Sequence, residues 1–319
     1  MQKEKIAIIG AGHVGATTAY LCSLQELGEV VLVDIVEGLA QGKALDIEQS
    51  LAVLQRDTTI TGTTDISQIA GSRVVVITAG LARKPGMSRD DLVKVNGEII
   101  RGIAEKVAAS APDAIIINVT NPMDAMTYLV QKVSQIPSHR VLGMGGVLDS
   151  GRFAAAIARK TNVSTSQIFA LAIGMHGDLM VPLPRHSTIY GQPLPSVLSH
   201  DAIEDLISQT IHGGARIVKL LQTGSAYIAP AAAIVEMLRC ILHDRKKILP
   251  CAAYLQGEYG QRDIYLGVPI RLGSHGLEKI VELELDPSEK TAFERSAESV
   301  RGMIQVLKNS SILPGQHLK

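Results

Sequence analysis

A histidine between two glycines, His176 in AIGMHGD, is the side chain best suited to pass a proton near neutral pH, where imidazole titrates. Three other segments carry polar groups of complementary kinds. GVLDSGRF sets Asp149 and Arg152 three residues apart, one helical turn. TAGLARKPGMSRDDL places Arg83, Lys84 and Arg89 in a polar loop with Pro85 and Gly86, after an apolar run and before a helical pattern. VTNP puts Asn121 at the end of another apolar run. An imidazole, a carboxylate, several cations and an amide are suited to proton transfer on a polar substrate, if the fold gathers the four segments.

A fifth segment is suited to a nucleotide. Residues 10–15, GAGHVG, form G-x-G-x-x-G with Gly10, Gly12 and Gly15. The motif follows a strand and opens a helix, which makes the main chain of Gly10, Ala11, Gly12, His13, Val14 and Gly15 a cradle for a pyrophosphate. Gly10 permits a tight turn, Gly12 lets backbone approach the phosphates, and Gly15 lets the helix pack closely. The next strand ends in Asp34, nineteen residues after Gly15. A carboxylate there accepts both ribose hydroxyls and repels a 2′-phosphate, so the expected cofactor is NAD rather than NADP.

The elements that must position these groups are legible as a pattern. KIAIIG, GEVVLVD, RVVVITAG, AIIINVT and VLGMGG read as strands, with helices over Val14 to Leu27 and over EGLAQGKALDIEQSL. Strands alternating with helices mean βαβ units and a parallel sheet covered on both faces. After about residue 149 the rhythm changes. QIFALAIG, STIYGQPL and DIYLGVPIRLG read as strands of a different, more antiparallel sheet, separated by helices over roughly 201–222, 226–243 and 287–308. The expectation is an α/β protein with an N-terminal Rossmann domain, residues 1–148, a doubly wound parallel sheet that binds NAD. An α+β substrate domain with an antiparallel sheet, residues 149–319, should follow, with a cleft between the two. In an open parallel sheet ligands bind beyond the C-terminal strand ends, where the arginine loop and Asn121 fall.

Composition narrows the partners. The 319 residues, 46% apolar, suffice for two cored domains. Lys+Arg and Asp+Glu number 31 each, and aromatics are 3% with no Trp, so neither a global field nor stacking platforms favour nucleic acid. Residues 6–25 are uncharged but broken by glycines and His13, unlike a signal peptide, and the uncharged run from Leu220 to Val235 is too short to span a bilayer. No membrane is expected. Cys22, Cys240 and Cys251 form no CxxC, which favours a reducing cytoplasm over a disulfide scaffold. Cys240 and His243 are too few for a metal site, so none is assigned. Tyr128 and Lys132 form Y-x-x-x-K, the pair of short-chain dehydrogenases, but the glycine spacing differs and an ordinary helix face is the simpler reading.

The segments GAGHVG, TAGLARKPGMSRDDL, TNP, LDSGRF, MHGD, GSAYIAPAAAIVEM and ILPCAAYLQGEYG together resemble the lactate/malate dehydrogenase family, in its lactate-dehydrogenase-like malate dehydrogenase branch. The resemblance runs through nearly the whole chain. It implies that His176 exchanges the proton, that Asp149 fixes and stabilises its imidazolium, and that Arg152 grips the carboxylate beside the reacting carbon. It implies that Arg89, on a mobile loop, polarises the carbonyl with Asn121, and that Asn96 and the backbone of Val119, Thr120 and Asn121 touch NAD. Arg83 stands where the lactate branch carries glutamine. Its cation would pair with a second carboxylate and favour malate/oxaloacetate, a step of the tricarboxylic acid cycle, over lactate/pyruvate. A homodimer or homotetramer is implied, with apolar helices such as 226–238 as candidate interfaces.

Departures from the family pattern are Ala82 for a common proline, Gly151 for the usual alanine, and Met175 for a common glycine; none removes a reacting group. His186 reads as structural or interfacial, and Asp244 to Lys247 as a solvated turn.

Overall fold

A computed structural model describes residues 4–82 and 86–314. Arg83, Lys84 and Pro85 lie outside the described residues.

The first half alternates as the apolar periods require. The elements are β1 (Lys5–Ile9), α1 (His13–Leu24), β2 (Glu29–Val33), α2 (Leu39–Val53), β3 (Ile60–Thr63), β4 (Val74–Ile77), α3 (Arg89–Ser110), β5 (Ile115–Asn118), α4 (Met123–Ser134) and β6 (Val141–Gly143). All six strands are parallel, in the order β3-β2-β1-β4-β5-β6. This is the Rossmann order, whose crevice opens where the chain reverses direction between β1 and β4. Residues 74–77 and 115–118 are wholly buried, as central strands covered by helices on both faces must be.

The second half comprises α5 (Gly146–Thr161), β7 (Ile168–Phe169), β8 (Ala172–Gly174), β9 (Met180–Pro182), β10 (Thr188–Ile189), β11 (Gln192–Pro193), α6 (Leu194–Val197), α7 (His200–Ile211), α8 (Gly213–Leu221), α9 (Ile228–Leu242), β12 (Lys247–Gln256), β13 (Arg262–Gly273), β14 (Gly276–Ile280) and α10 (Pro287–Asn309). Its antiparallel strands do not form a separate main sheet as the sequence suggests. Strand β12 pairs with β6 at Ala252 and Gly143, so β12, β13, β8 and β9 continue the parallel sheet, with β14 on β13. Only β7, β10 and β11 form a small second sheet. QIFALAIG is therefore two strands in two sheets. The helix expected over 201–222 also divides, at His212, ahead of two glycines. Glycine is a poor helix former, and the pair gives the chain its break.

One hydrophobic core follows both faces of the large sheet. A smaller one, around Phe153, Ile157, Leu194 and Leu206, seats α7 on α5. Helix α9 is buried along most of its length, against α1 among others, so its apolar face is spent inside this chain rather than left for a partner. Helix α10 starts at a capping box, with Asp286 holding the amides of Ser288 and Glu289. Among the described residues no helix is long and apolar enough to cross a membrane.

Candidate active site

The cofactor loop is explained by what its glycines touch. Gly10 has φ +107°, and a β-carbon there would lie 2.6 Å from the Ala79 nitrogen. At Gly15 a β-carbon would lie 1.8 Å from the Gly10 carbonyl oxygen, so only glycine lets α1 leave the strand so sharply. Gly12 faces open space and caps α1 without a side chain. The α1 amides and the space over Gly12 thus suit a phosphate group.

Asp34 stands where expected, just beyond β2, and already holds the loop. Its Oδ2 accepts the Ala11 N–H at 2.7 Å and its Oδ1 the Val36 N–H at 3.0 Å. Each oxygen keeps a lone pair for a ribose hydroxyl. Lys43 Nζ donates to the Ala11 carbonyl at 2.6 Å, a second tie that the spacing of motifs does not reveal. The His13 ring packs on Tyr227 with centroids 5.1 Å apart, joining this loop to the start of α9.

Asn96 is fully buried in α3 and braces two loops. Its amide accepts from Leu81 N at 2.8 Å and donates to the carbonyls of Leu81, at 3.0 Å, and Asn121, at 2.7 Å. With both N–H groups taken, its effect on a cofactor passes largely through those loops. Val119 N donates to Ile77, and the Thr120 hydroxyl to the Ala79 carbonyl. Asn121 is exposed at the strand end, and its peptide bond to Pro122 is cis.

The second half brings the acid–base groups together. Strand β8 ends at Gly174, and Met175 and His176 follow. Gly174 has φ +82°, and the Met175 N–H is held by the Ser296 hydroxyl of α10. Asp149, on the first turn of α5, is 2% exposed. Its Oδ2 lies 2.8 Å from His176 Nδ1 and its Oδ1 takes the Arg152 Nη1 at 3.1 Å. A β-carbon on Gly145, just before α5, would come within 2.9 Å of the His176 β-carbon. The small residue is what lets imidazole and helix meet. Arg152 also packs on Gly213 and Gly214, while its Nε is buried without a hydrogen-bond partner among the described residues.

His176 shares a cavity of about 130 Å³ with Arg89, Asn121, Asp124, Met175 and Met303. Arg89 reaches Ser299 of α10 at 3.2 Å, beside the cavity. His176 is thus gathered with Asp149, Arg152, Arg89 and Asn121. With Nδ1 on a carboxylate, its Nε2 is the nitrogen left for a substrate. Burial alone would depress the imidazole. The Asp149 carboxylate opposes this by charge and hydrogen bond, and Asp124 adds to it against the repulsion of Arg152. The balance holds His176 above the ordinary imidazole value.

Asp124 is a member of the site that sequence reasoning missed. In the first turn of α4 an acid reads as an ordinary complement to the helix dipole. Here it is 1% exposed and its Oδ2 accepts the His176 backbone N–H at 3.0 Å.

The Y-x-x-x-K pair proves to be more than an ordinary helix face. Tyr128 donates to Asp263 at 3.0 Å, and Lys132 lies 3.0 Å from the same carboxylate and 3.2 Å from the Tyr254 hydroxyl. The pair fastens α4 to the β12–β13 hairpin. His186 takes a structural tie, Nε2 to the Glu284 carbonyl at 3.0 Å. Cys240 is buried and its thiol pushed up to about 11, chiefly by burial. Among the described residues no group of three or more His, Cys, Asp or Glu could hold a metal ion.

Known proteins share this architecture over nearly the whole chain. Residues 4–143 match the model of the lactate/malate dehydrogenase NAD binding domain, and residues 146–310 that of the family's alpha/beta C-terminal domain. The chain is 51% identical to a malate dehydrogenase of Methanosarcina barkeri over 304 residues, 95% of this chain and 99% of the relative. The malate dehydrogenase structure from Cryptosporidium parvum superposes with a TM-score of 0.94 at 42% identity, covering 97% of this chain and 100% of that one. The lactate dehydrogenase of the same organism, complexed with lactic acid and NAD, also reaches 0.94, at 40% identity over 97% of this chain and 99% of that one. With both domains matched and the site residues at the strand ends where the fold places a ligand, this chain belongs to the lactate/malate dehydrogenase family.

Proposed function

We propose that this chain is an NAD-dependent dehydrogenase that interconverts (S)-malate and oxaloacetate. The observation that carries the reading is the chain of contacts Arg152–Asp149–His176, opening into the cavity that Arg89 and Asn121 also line.

When bound, NAD would supply the hydride acceptor for C2 of malate and, as NADH, the hydride donor for the reverse reaction. The uncapped α1 amides, the open space over Gly12 and the carboxylate of Asp34 suit its pyrophosphate and ribose. His176 Nε2 takes the hydroxyl proton as C2 loses its hydride, and returns it to the oxygen when oxaloacetate is reduced. Asp149 holds Nδ1 and stabilises the imidazolium. Arg152 forks onto the carboxylate beside C2. Arg89 and Asn121 meet the developing charge on the C2 oxygen. Arg83 pairs with the distal carboxylate, and a three-carbon substrate would leave that cation unmatched.

The closing of the arginine loop excludes water from this exchange. The domain boundary is placed at residues 148–149, in the first turn of α5, while the family models end at 143 and begin at 146. The reaction is the malate-to-oxaloacetate step of the tricarboxylic acid cycle, in the cytoplasm. The enzyme works as a homodimer or homotetramer, supported by exposed Leu45 and Val53 on α2 and Leu220 and Leu221 on α8.

The test is NADH oxidation by the purified protein with oxaloacetate and, separately, with pyruvate. Oxaloacetate should be preferred by a factor on the order of 10²–10⁵, since a site that matches the distal carboxylate with a cation rejects a substrate that leaves that cation unpaired. Preference for pyruvate would make it a lactate dehydrogenase. No turnover of either, with NADH bound, would make it a non-catalytic nucleotide-binding protein.

A further inference from the structure

We infer that Asp124 is a positioning residue for this reaction: it fixes the backbone of His176 and couples its own ionisation to the proton that His176 carries. The inference rests on the acid–base reading of His176 given above.

The geometry is specific. Asp124 projects from the first turn of α4 against the loop after β8, and its Oδ2 accepts the His176 N–H at 3.0 Å. Its Oδ1 is buried with no hydrogen-bond partner among the described residues. A carboxylate oxygen sealed from water and left unpaired is costly, so a structural role alone explains only half of this group. Both Asp124 and His176 border the substrate cavity.

The charged groups around the imidazole are Asp149 and Arg152 from α5, Asp124 from α4, and Arg89 across the cavity. Asp124 itself faces His176 and Asp149. When His176 is protonated its charge favours ionised Asp124. When His176 gives up its proton, Asp124 loses that favourable charge while the Asp149 carboxylate still opposes its ionisation, which favours protonating Asp124. Proton loss at His176 is thus matched by proton uptake at Asp124. The net charge of a dry site stays more nearly constant through the catalytic cycle than His176 alone would allow. Burial, the main influence, pushes Asp124 up to about 7, against the His176 N–H and charge, so its titration falls where the enzyme would work.

Asp124→Asn tests this, because asparagine keeps the shape and an oxygen for the His176 N–H. Two readouts are needed on the full-length enzyme. One is histidine titration by NMR without cofactor, the His176 signal being assigned by its loss in His176→Asn. The other is the pH profile of kcat/KM for oxaloacetate with NADH. In Asp124→Asn the His176 midpoint should fall, and the basic limb of the profile should move down in pH by the same amount. Activity above the midpoint then drops tenfold for each pH unit of movement. In the wild type the His176 signal should be biphasic, which needs no variant and decides the matter if Asp124→Asn does not fold. A single-phase wild-type titration, or a His176 midpoint unmoved in Asp124→Asn, overturns the inference. Failure of the wild type to reduce oxaloacetate, with the biphasic titration present, would instead overturn the malate reading and leave the coupling standing.

Discussion

Asp149 Oδ2 lies 2.8 Å from His176 Nδ1, and the other Asp149 oxygen holds Arg152 at 3.1 Å, so one buried carboxylate fixes both the proposed proton carrier and the proposed substrate anchor. Asp149→Asn keeps the shape and removes the charge. Turnover should fall by about 10²–10⁴, the usual worth of a positioned acid–base group. The His176 midpoint should also move down, since Asp149 is what raises it. In the wild type malate oxidation needs neutral imidazole and should rise with pH through a midpoint above the ordinary imidazole value. Oxaloacetate reduction should fall through the same midpoint. Stopped-flow pH profiles in both directions check the sign.

Arg89 opens α3 behind the Ser88–Asp91 capping box, on the rim of the cavity. Replacing it with glutamine keeps a donor but loses the cation proposed to meet the developing alkoxide. Turnover should fall by about 10²–10³ while NADH affinity stays near wild type. Fluorescence titration of NADH beside steady-state kinetics separates the two; equal losses in both would remove Arg89 from its proposed role.

Arg83→Gln should shift preference from oxaloacetate towards pyruvate. The loss of a charge-assisted contact is worth about 1.5–3 kcal/mol, or roughly ten- to a hundredfold in kcat/KM for oxaloacetate. The ratio of kcat/KM for the two oxoacids is the measurement, and an unchanged ratio would place selectivity elsewhere.

Asp34→Ser should ease the use of NADP by removing a charge that repels a 2′-phosphate. It should also loosen the loop, because Asp34 holds the amides of both Ala11 and Val36. NAD affinity should therefore fall by about ten- to a hundredfold, even as the NADP/NAD ratio rises. Binding of both dinucleotides by calorimetry tests this.

Asp124 has a consequence for stability as well as turnover. Its carboxyl is raised by burial from 3.8 in an unfolded chain to about 7 in the fold. A raised group contributes stability that is complete below the unfolded value and lost as pH climbs through the folded one. Asp124→Asn, which cannot ionise, should therefore gain stability relative to wild type as pH rises from about 4 to about 8. Paired thermal melts across that window give the difference, and parallel curves would contradict it.

Much of this molecule was legible in the sequence, for reasons specific to its residues. The parallel half declared itself because buried strands between helices are short, β-branched and uniformly apolar, and because Gly10, Gly12 and Gly15 have few other uses in that setting. His176, Asp149, Arg152, Arg89 and Asn121 were found through the resemblance of their segments, and the fold assembles them. What escaped depended on partners distant in sequence. Strand β12 carries Pro250 in its middle, opposite Pro269, and proline argues against a central strand. Asp124 gives no local signal, because only the loop that carries His176, 52 residues away, makes it a partner. Asn96 spends its side chain on loop backbone, and Arg89 meets Ser299 across 210 residues, neither being a matter of local pattern.

The seam between β6 and β12 joins the two halves into one sheet. The loop that would receive the dinucleotide and the loop that carries His176 are therefore mounted on a common plate, like two jaws of a caliper whose spacing is set in manufacture. A swing of one half against the other would have to shear the ladder at Ala252 and Gly143. Arg89, at the start of α3, lies outside that plate and is tied instead to Ser299 of α10. Substitutions within the strands should therefore be read as errors of gauge.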